Sequence, residues 1–550
     1  MKKHLSILAK PFALHLLIWG LFFTAVWSHQ LNLTSTGITA GSIASWADGA
    51  AHLTNISTFA YRSLIPTTLP VYLGHPFTYP FVTDWISGLL VRLGFPLITA
   101  YTWLGLILSL AIVYLLYRFY LFFLHNSWAA FISSAIFLLS GGLGFIWFID
   151  AIINTPHPRL SSLLQPEYTH LDSVHIGWIN IITSELLPQR AFLLGLTIGI
   201  ILLAFCYQLL VKPQVLKFSH WLAAATLYGL LPIIHPHTFI VISFTLAWTF
   251  ILTLKQSHLY RHWIIFGLVS LPLALALISS FILPGTSSGF IRWYPGWLAR
   301  SFSINWLWFW LLNWGLFPFA ALLGSFFLNR RQRLFLIPAL ILFVAANLFL
   351  FQPYDWDNSK ILTYTYLLLS APAGLLIVRL FTVGLSKFKR HSIKSLALVF
   401  LALTLFSILT FSGFLDIIRV LDYSHQSIPM FTRDELQLAD WVKTNTPTGT
   451  NILTSTTHNH PVPVLTGRQI IMGYPGWLWS YGIDYTDRIK NIQTIYSGST
   501  NALDLINTYH IDYIIIGPTE LAQFQPNIEF FTDHFQPVFT NSTYTIYTVN

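Results

Sequence analysis

The chain has 550 residues, of which 55% are hydrophobic and only 9% charged. Soluble domains carry about 25% charged residues, so the composition excludes an ordinary soluble protein and predicts an integral membrane protein. The formal charge of +9 hides an asymmetry: from His425 onward there are five Lys/Arg and ten Asp/Glu, which, taken from totals of 29 and 20, leaves 24 basic and ten acidic residues before that point. A basic surface of this kind suits membrane orientation and anionic lipid head groups. No basic-aromatic stripe points to nucleic acid. The lone Cys206 lies in an apolar run, so there is no intramolecular disulfide framework and no cysteine-based zinc site.

A span needs about 20 apolar residues. Eleven stretches qualify: 12–28, 98–123, 128–150, 191–210, 221–234, 238–254, 263–283, 305–328, 334–351, 361–380 and 395–414. The first follows Lys2 and Lys3 without a small-x-small cleavage site and reads as an uncleaved helix. The fifth and sixth meet at His235-Pro236-His237, where Pro breaks the helix and two histidines suit water better than lipid. With the N-terminus in the cytoplasm, sixteen basic residues and no acid fall on the cytoplasmic side, including clusters at 330–333 and 387–394. All ten acids of the membrane region fall on the other side, beside eight basic residues. The positive-inside rule then predicts a multi-pass protein of the cytoplasmic (plasma) membrane with its long loops outside.

The first outside loop is 30–97, inside which 81–93 (FVTDWISGLLVRL) reads as an interfacial helix interrupted by Asp84 and Arg92. Residues 151–189 and 284–304 form further outside loops, and 352–360 (QPYDWDNSK) is a short one. Beyond about residue 423 the pattern alternates. Helix-like runs at 434–444, 484–496 and 501–509 interleave with β-prone runs at 452–455, 469–472 and 511–516, while 544–549 alternates like an edge strand. The expected organisation is a polytopic α-helical membrane domain over 1–422 and a small α/β extracytoplasmic domain over 423–550.

The polar residues at membrane level are the candidates for chemistry, because charge there is costly unless paired or functional. Asp48 lies in 42–53 (SIASWADGAAHL), with His52 four residues on and on the same face if the run is helical. Asp48 reads either as the centre of a cavity or as a cap on an interfacial helix. Lys360 and Arg190 each open a span and read as phosphate ligands or as snorkelling anchors. His235 and His237 serve binding or a satisfied helix break, and a metal role lacks a clear third ligand. Asp355 and Asp357 pair with Lys360, ligate a hard cation or sit in a solvated loop. In the tail, His458 and His460 (HNHP), and Trp477, Trp479, Tyr481 and Tyr485 (GYPGWLWSYGIDY), offer planar faces with polar tips. Such faces suit sugar stacking, the membrane interface or a core. No nucleotide, hydrolase or zinc-protease fingerprint occurs.

These segments together resemble the GT-C superfamily of polytopic glycosyltransferases, which use polyprenyl-phosphate-linked sugars. The matching features are an early acid in the first outside loop (Trp46-Ala47-Asp48), interfacial helices before the second span, many spans and an outside α/β tail. DWDNSK at 355–360, HNHP at 458–461 and the 473–485 segment look like those of uncharacterised prokaryotic members. The resemblance implies a transferase, inverting in outcome, moving a sugar from a polyprenyl-phosphate donor to a glycan, lipid or protein acceptor. Under it Asp48 is the general base or helps to hold a metal, and Lys360 with Arg190 binds the donor phosphate. The family often pairs two acids in this loop. A single Asp48 stands here, with His52 nearby, so dependence on a divalent cation (Mg or Mn) stays open. Two other classes remain: a transporter or flippase of lipid-linked glycans, for which no internal repeat is found, and a non-catalytic glycan-binding relative.

Overall fold

The structure is a computed structural model that describes residues 2–65, 67–285, 291–388 and 393–549. Lys389 and Arg390, two of the basic residues used for orientation, lie outside them, as does part of the 284–304 loop. The protein is a multi-pass membrane protein. Among the described residues eight helices are long and apolar enough to cross a membrane, or nine if one bent pair is a single span. The chain divides into two compact units: 1–26, 105–276 and 291–426 form one, and 27–104, 277–290 and 427–550 the other.

The first unit is built around the helix Ser359–Phe388, which is buried along most of its apolar span. Glycines let its neighbours approach to backbone contact. A Cβ on Gly324 would lie 1.9 Å from the Pro372 carbonyl oxygen, and one on Gly374 would lie 2.2 Å from Ser133 Oγ. Two expected spans are broken. The stretch 128–150 is not one helix but Ser127–Leu138 followed by Phe145–Asn154, both shorter than a crossing needs. The break is used: Leu143 N donates to the Leu312 carbonyl at 2.8 Å, and Ser412 Oγ donates to the Gly142 carbonyl at 2.8 Å. The stretch 305–328 bends by 82° between Trp306–Trp314 and Phe317–Ser325, with Gly315 at φ 54°. The predicted pair around His235 is present as two helices, Phe218–Ile234 and Pro236–Thr253, of which only the second is long and apolar enough to cross a membrane.

The second unit joins the loop after the first span to the C-terminal segment. Leu31–Thr34, Gly37–Ala40 and Ile428–Thr432 make a three-stranded antiparallel sheet. A five-stranded mixed sheet runs in the order Gln469–Ile470, Asn451–Leu453, Tyr513–Ile516, Thr545–Thr548 and Gln536–Thr540. The first three strands are parallel and the last two antiparallel. The run 544–549 is therefore not an edge strand. Gln536–Thr540, which carries Pro537, covers it and takes the edge, where a strand proline is tolerated.

Loop and tail share one core. Phe59, Leu69, Val71 and Phe77 of the loop pack with Ile452, Ile470, Met472, Ile514 and Ile546 of the tail. Backbone bonds run across the join: Ile470 N donates to the Pro70 carbonyl at 3.0 Å, and Gly473 N to that of Val71 at 2.7 Å. Ser57 Oγ donates to the Val464 carbonyl at 2.8 Å. Gly467 closes the contact at φ 65°, where a Cβ would lie 2.5 Å from the Ser57 carbonyl carbon.

Gly467→Ala should therefore destabilise the protein by roughly 2–4 kcal/mol, the left-handed backbone costing about 1–2 and the steric overlap the rest. Thermal unfolding of the detergent-purified variant checks this, and an unchanged midpoint would contradict the packing described.

Candidate active site

In the second unit, Ser42 caps the helix Ile43–Tyr61, its Oγ accepting from Ser45 N at 3.2 Å. That helix carries Trp46, Asp48 and His52. It packs on Val82–Arg92, whose buried residues are Thr83, Asp84, Ser87 and Gly88. Gly88 lets the two helices approach, since a Cβ there would lie 2.5 Å from Phe59 Cβ. His52 Nδ1 then meets Asp84 Oδ2 at 2.8 Å, with both side chains 2% exposed. Asn55 Nδ2 donates to the same oxygen at 3.4 Å.

Asp48 is half-buried one turn earlier on the helix. Its neighbour Trp46 stacks on the His458 ring at 4.9 Å and 11°, and His458 also meets Tyr474 at 5.0 Å and Trp477 at 4.9 Å. Burial lowers the His458 imidazole below its usual range, against the opposing Asn459 hydrogen bond and the charge of Asp48. The Tyr481 phenol is pushed up by burial and then by the charges of Asp48 and Asp84. Tyr481 packs on Tyr79 at 5.5 Å, and Tyr79 lies 6.4 Å from the His52 ring. The unit thus gathers Asp48, His52, Asp84, His458, Trp477 and Tyr481. The arrangement combines a carboxylate with a rim of aromatic faces, a combination suited to a hydroxyl-bearing ring compound.

His460 has a different setting. Its Nδ1 accepts from Val462 N at 3.3 Å and its Nε2 donates to Glu520 Oε1 at 3.0 Å, both side chains being buried. Burial alone would raise the Glu520 carboxyl, but the hydrogen bonds from His460 and the Ser455 N–H hold it below its usual range. Both ring nitrogens are thereby engaged inside the tail fold.

In the first unit, three helix starts meet. Tyr364, in the second turn of Ser359–Phe388, shares a 2.6 Å hydrogen bond with Thr238 Oγ1 at the start of Pro236–Thr253. Its hydroxyl also donates to the Gly195 carbonyl, 3.3 Å away in Arg190–Val211. His235 Nδ1 caps Pro236–Thr253, accepting from Thr238 N at 3.2 Å. Gly195 makes room for the His235 ring, because a Cβ there would lie 2.5 Å from His235 Cβ. His237 Nε2 is buried and has no hydrogen-bond partner among the described residues. Arg190 is fully buried at the first position of its helix.

The DWDNSK segment is bonded along its length. Asp355 Oδ2 accepts from Ser301 Oγ at 2.7 Å, and Trp356 packs on His170 at 4.6 Å. Lys360 Nζ donates to Asp357 Oδ1 at 2.8 Å. Asn358 Nδ2 donates to the Ala346 and Phe349 carbonyls at 2.8 and 2.7 Å. Ser359 Oγ and Thr363 Oγ1 donate to the two oxygens of Glu185 at 2.8 and 2.9 Å. Sequence reasoning passed over Glu185, although it sits at a span edge five residues before Arg190, where the rule that flagged Arg190 applies equally. It also took Asp84 for an interruption in an interfacial helix. Among the described residues no group of three or more His, Cys, Asp or Glu could hold a metal ion.

No protein-family model matches the chain, and no curated protein sequence does. Among solved structures, ArnT from Cupriavidus metallidurans in the apo state matches over 99% of this chain and 98% of its own, at 12% identity and TM-score 0.50. ArnT bound to undecaprenyl phosphate matches over 98% of both chains at 11% identity and TM-score 0.49. The oligosaccharyltransferase AglB from Archaeoglobus fulgidus, in complex with an inhibitory peptide and a dolichol-phosphate, matches over 93% of this chain and 70% of its own, at 13% identity and TM-score 0.44.

Burial raises the Glu185 carboxyl to about 7, against the Ser359 and Thr363 hydrogen bonds and the Lys360 charge. A raised acid in the folded state favours folding while protonated, so its contribution falls as pH climbs from about 4.5 to about 7. Wild type should lose about 3 kcal/mol relative to Glu185→Gln across that window. Parallel thermal-stability curves for the two proteins in detergent would contradict it. At these identities the comparisons show the fold: the chain shares the polytopic fold of ArnT, the architecture that the GT-C resemblance implied.

Proposed function

We propose that the chain is a glycosyltransferase that moves a sugar from a polyprenyl-phosphate-linked donor to an acceptor on the outer face of the cytoplasmic membrane. The observation that carries this reading is the setting of Asp48, half-buried beside the aromatic cluster of Trp46, His458 and Trp477. Asp48 acts as general base. The acceptor hydroxyl gives its proton to the Asp48 carboxylate while its oxygen bonds to the anomeric carbon. The bond from that carbon to the phosphate oxygen breaks on the opposite face, so the outcome is inverting. His52 and Asp84 hold the wall behind Asp48, and Trp477 and Tyr481 offer faces to the acceptor or the sugar.

The leaving phosphate needs charge stabilisation and no strong acid. Within the first unit, Arg190, Lys360 and the buried Nε2 of His237 are the groups we assign to a donor phosphate, at the positive ends of three helices. Asp357 and Glu185 orient Lys360 and the helix that it opens, and Asp355 fixes the loop before them. ArnT, whose fold this chain shares, has also been solved bound to undecaprenyl phosphate. That supports a polyprenyl phosphate as the carrier. For a Mg or Mn ion, Asp355 and Asp357 are already paired with Ser301 and Lys360, and Asp84 with His52 and Asn55, and Asp48 offers a single carboxylate. This donor set does not fit a preformed cation site, and no step is assigned to one.

Asp48→Asn should lower release of polyprenyl phosphate from a polyprenyl-phosphate sugar by about 100-fold or more while donor binding is kept. Lys360→Ala should weaken donor binding by roughly tenfold or more, the size of a lost charge-assisted hydrogen bond. Both are measured on detergent-purified protein. Full turnover in Asp48→Asn would end the transferase reading. Movement of intact lipid-linked glycan across proteoliposomes without cleavage would favour a flippase instead.

A further inference from the structure

A cavity of about 360 Å³ lies at the opposite end of the helix Arg190–Val211 from Arg190. Its walls are apolar: Phe122, Ile201, Phe205, Ala223, Ala224 and Leu227. Ile201 to Gln208 on one helix and His220 to Leu227 on the other are eight-residue stretches, so the groove runs roughly 10 Å along both. Gln208 lies 18 residues beyond Arg190, roughly 27 Å along the axis, which separates this groove from the residues assigned to the donor phosphate. The surrounding surface is apolar too. Phe218 is 54% exposed, Leu222 41% and Ile201 39%, the pattern of a face turned to hydrocarbon.

Only one end of the groove is polar, lined by Gln208 and His220, and cationic residues flank it. Gln208 Nε2 donates to the Lys212 carbonyl at 2.7 Å, and the Lys217 N–H donates to His220 Nδ1 at 3.0 Å. Both lysine side chains are exposed. Arg331 Nη1 donates to the Val211 carbonyl at 3.0 Å and brings a third cation to the same end. No Asp or Glu occurs between 186 and 354. An apolar slot one helix-pair wide, ending in exposed ammonium groups with no acid on the neighbouring elements, matches an acyl chain joined to an anionic head.

We propose that this groove is a binding site for an anionic glycerophospholipid, with one acyl chain between the helices Arg190–Val211 and Phe218–Ile234 and the phosphate paired by Lys212 and Lys217. The site is independent of the glycosyltransferase reading. It ties the short Phe218–Ile234 helix to its neighbour from the lipid side.

Native mass spectrometry of the full chain in detergent, titrated with phosphatidylglycerol or phosphatidylcholine, tests it. Wild type should bind phosphatidylglycerol at least tenfold more tightly. Lys212→Glu with Lys217→Glu, two exposed positions, should remove that preference. Ala223→Trp, which fills the groove from an exposed position, should weaken phosphatidylglycerol binding while undecaprenyl phosphate binding is unchanged. Equal binding of the two phospholipids, or a preference that survives the double charge reversal, would overturn the proposal. So would loss of undecaprenyl phosphate binding in Ala223→Trp with phosphatidylglycerol unaffected, since the groove would then take the polyprenyl chain.

Discussion

The constraint on which the second unit depends is a pairing between segments some 400 residues apart. Residues 69–73 of the first loop lie along 469–473 of the tail. Gln469 Nε2 donates to the Leu69 and Pro70 carbonyls at 2.8 and 3.0 Å, and Gly473 N to that of Val71. Closing a free chain over 407 residues costs about 5 kcal/mol by the logarithmic loop rule. Burial of Leu69, Val71 and Phe77 in the shared core returns about 1.5–3 kcal/mol each, enough to offset it. Hydrogen bonds add specificity of register. Without this join, Trp46 would not reach His458, and the carboxylate of Asp48 would stand at an interface with no aromatic wall beside it.

The first unit follows a different logic. Buried polar groups in a membrane domain are costly, and here they are used to fix where helices begin. Tyr364, Thr238, His235 and Gly195 lock three helix starts together, and Glu185 ties the segment before Arg190 to the start of the helix Ser359–Phe388. Arg190 and Lys360 therefore sit on a scaffold whose own hydrogen bonds fix the helix starts that carry them. Asn358 contributes in the same way, closing the loop that carries Asp355 and Asp357.

Much of this was legible from local chemistry. The helix-like run at 434–444 and the β-prone run at 511–516 announce their elements because apolar spacing and strand composition act within a few residues. The uninterrupted spans were readable for the same reason. Illegible features depended on partners far along the chain. Gly141 and Gly142 break a stretch that composition reads as one span, because their backbones contact 312–313 and 412–413. The helix at 82–92 buries its polar face, Thr83, Asp84 and Ser87, and leaves Leu93 and Phe95 beyond it exposed. That is the inverse of the soluble pattern, and it hid Asp84 as the partner of His52. Gln536–Thr540 was missed because its Pro537 argues against a strand unless the strand is known to lie at an edge.

The central claim is that loop and tail form one body around Asp48. Tyr72 and Met472 face each other in an antiparallel bridge, a pairing that sets Cα atoms about 4.5–5.5 Å apart and within disulfide reach. The native Cys206 is buried and does not compete. Oxidation of Tyr72→Cys with Met472→Cys in native membranes should form an intramolecular disulfide in most of the protein. A failure to cross-link, with both thiols open to a maleimide, would contradict the account.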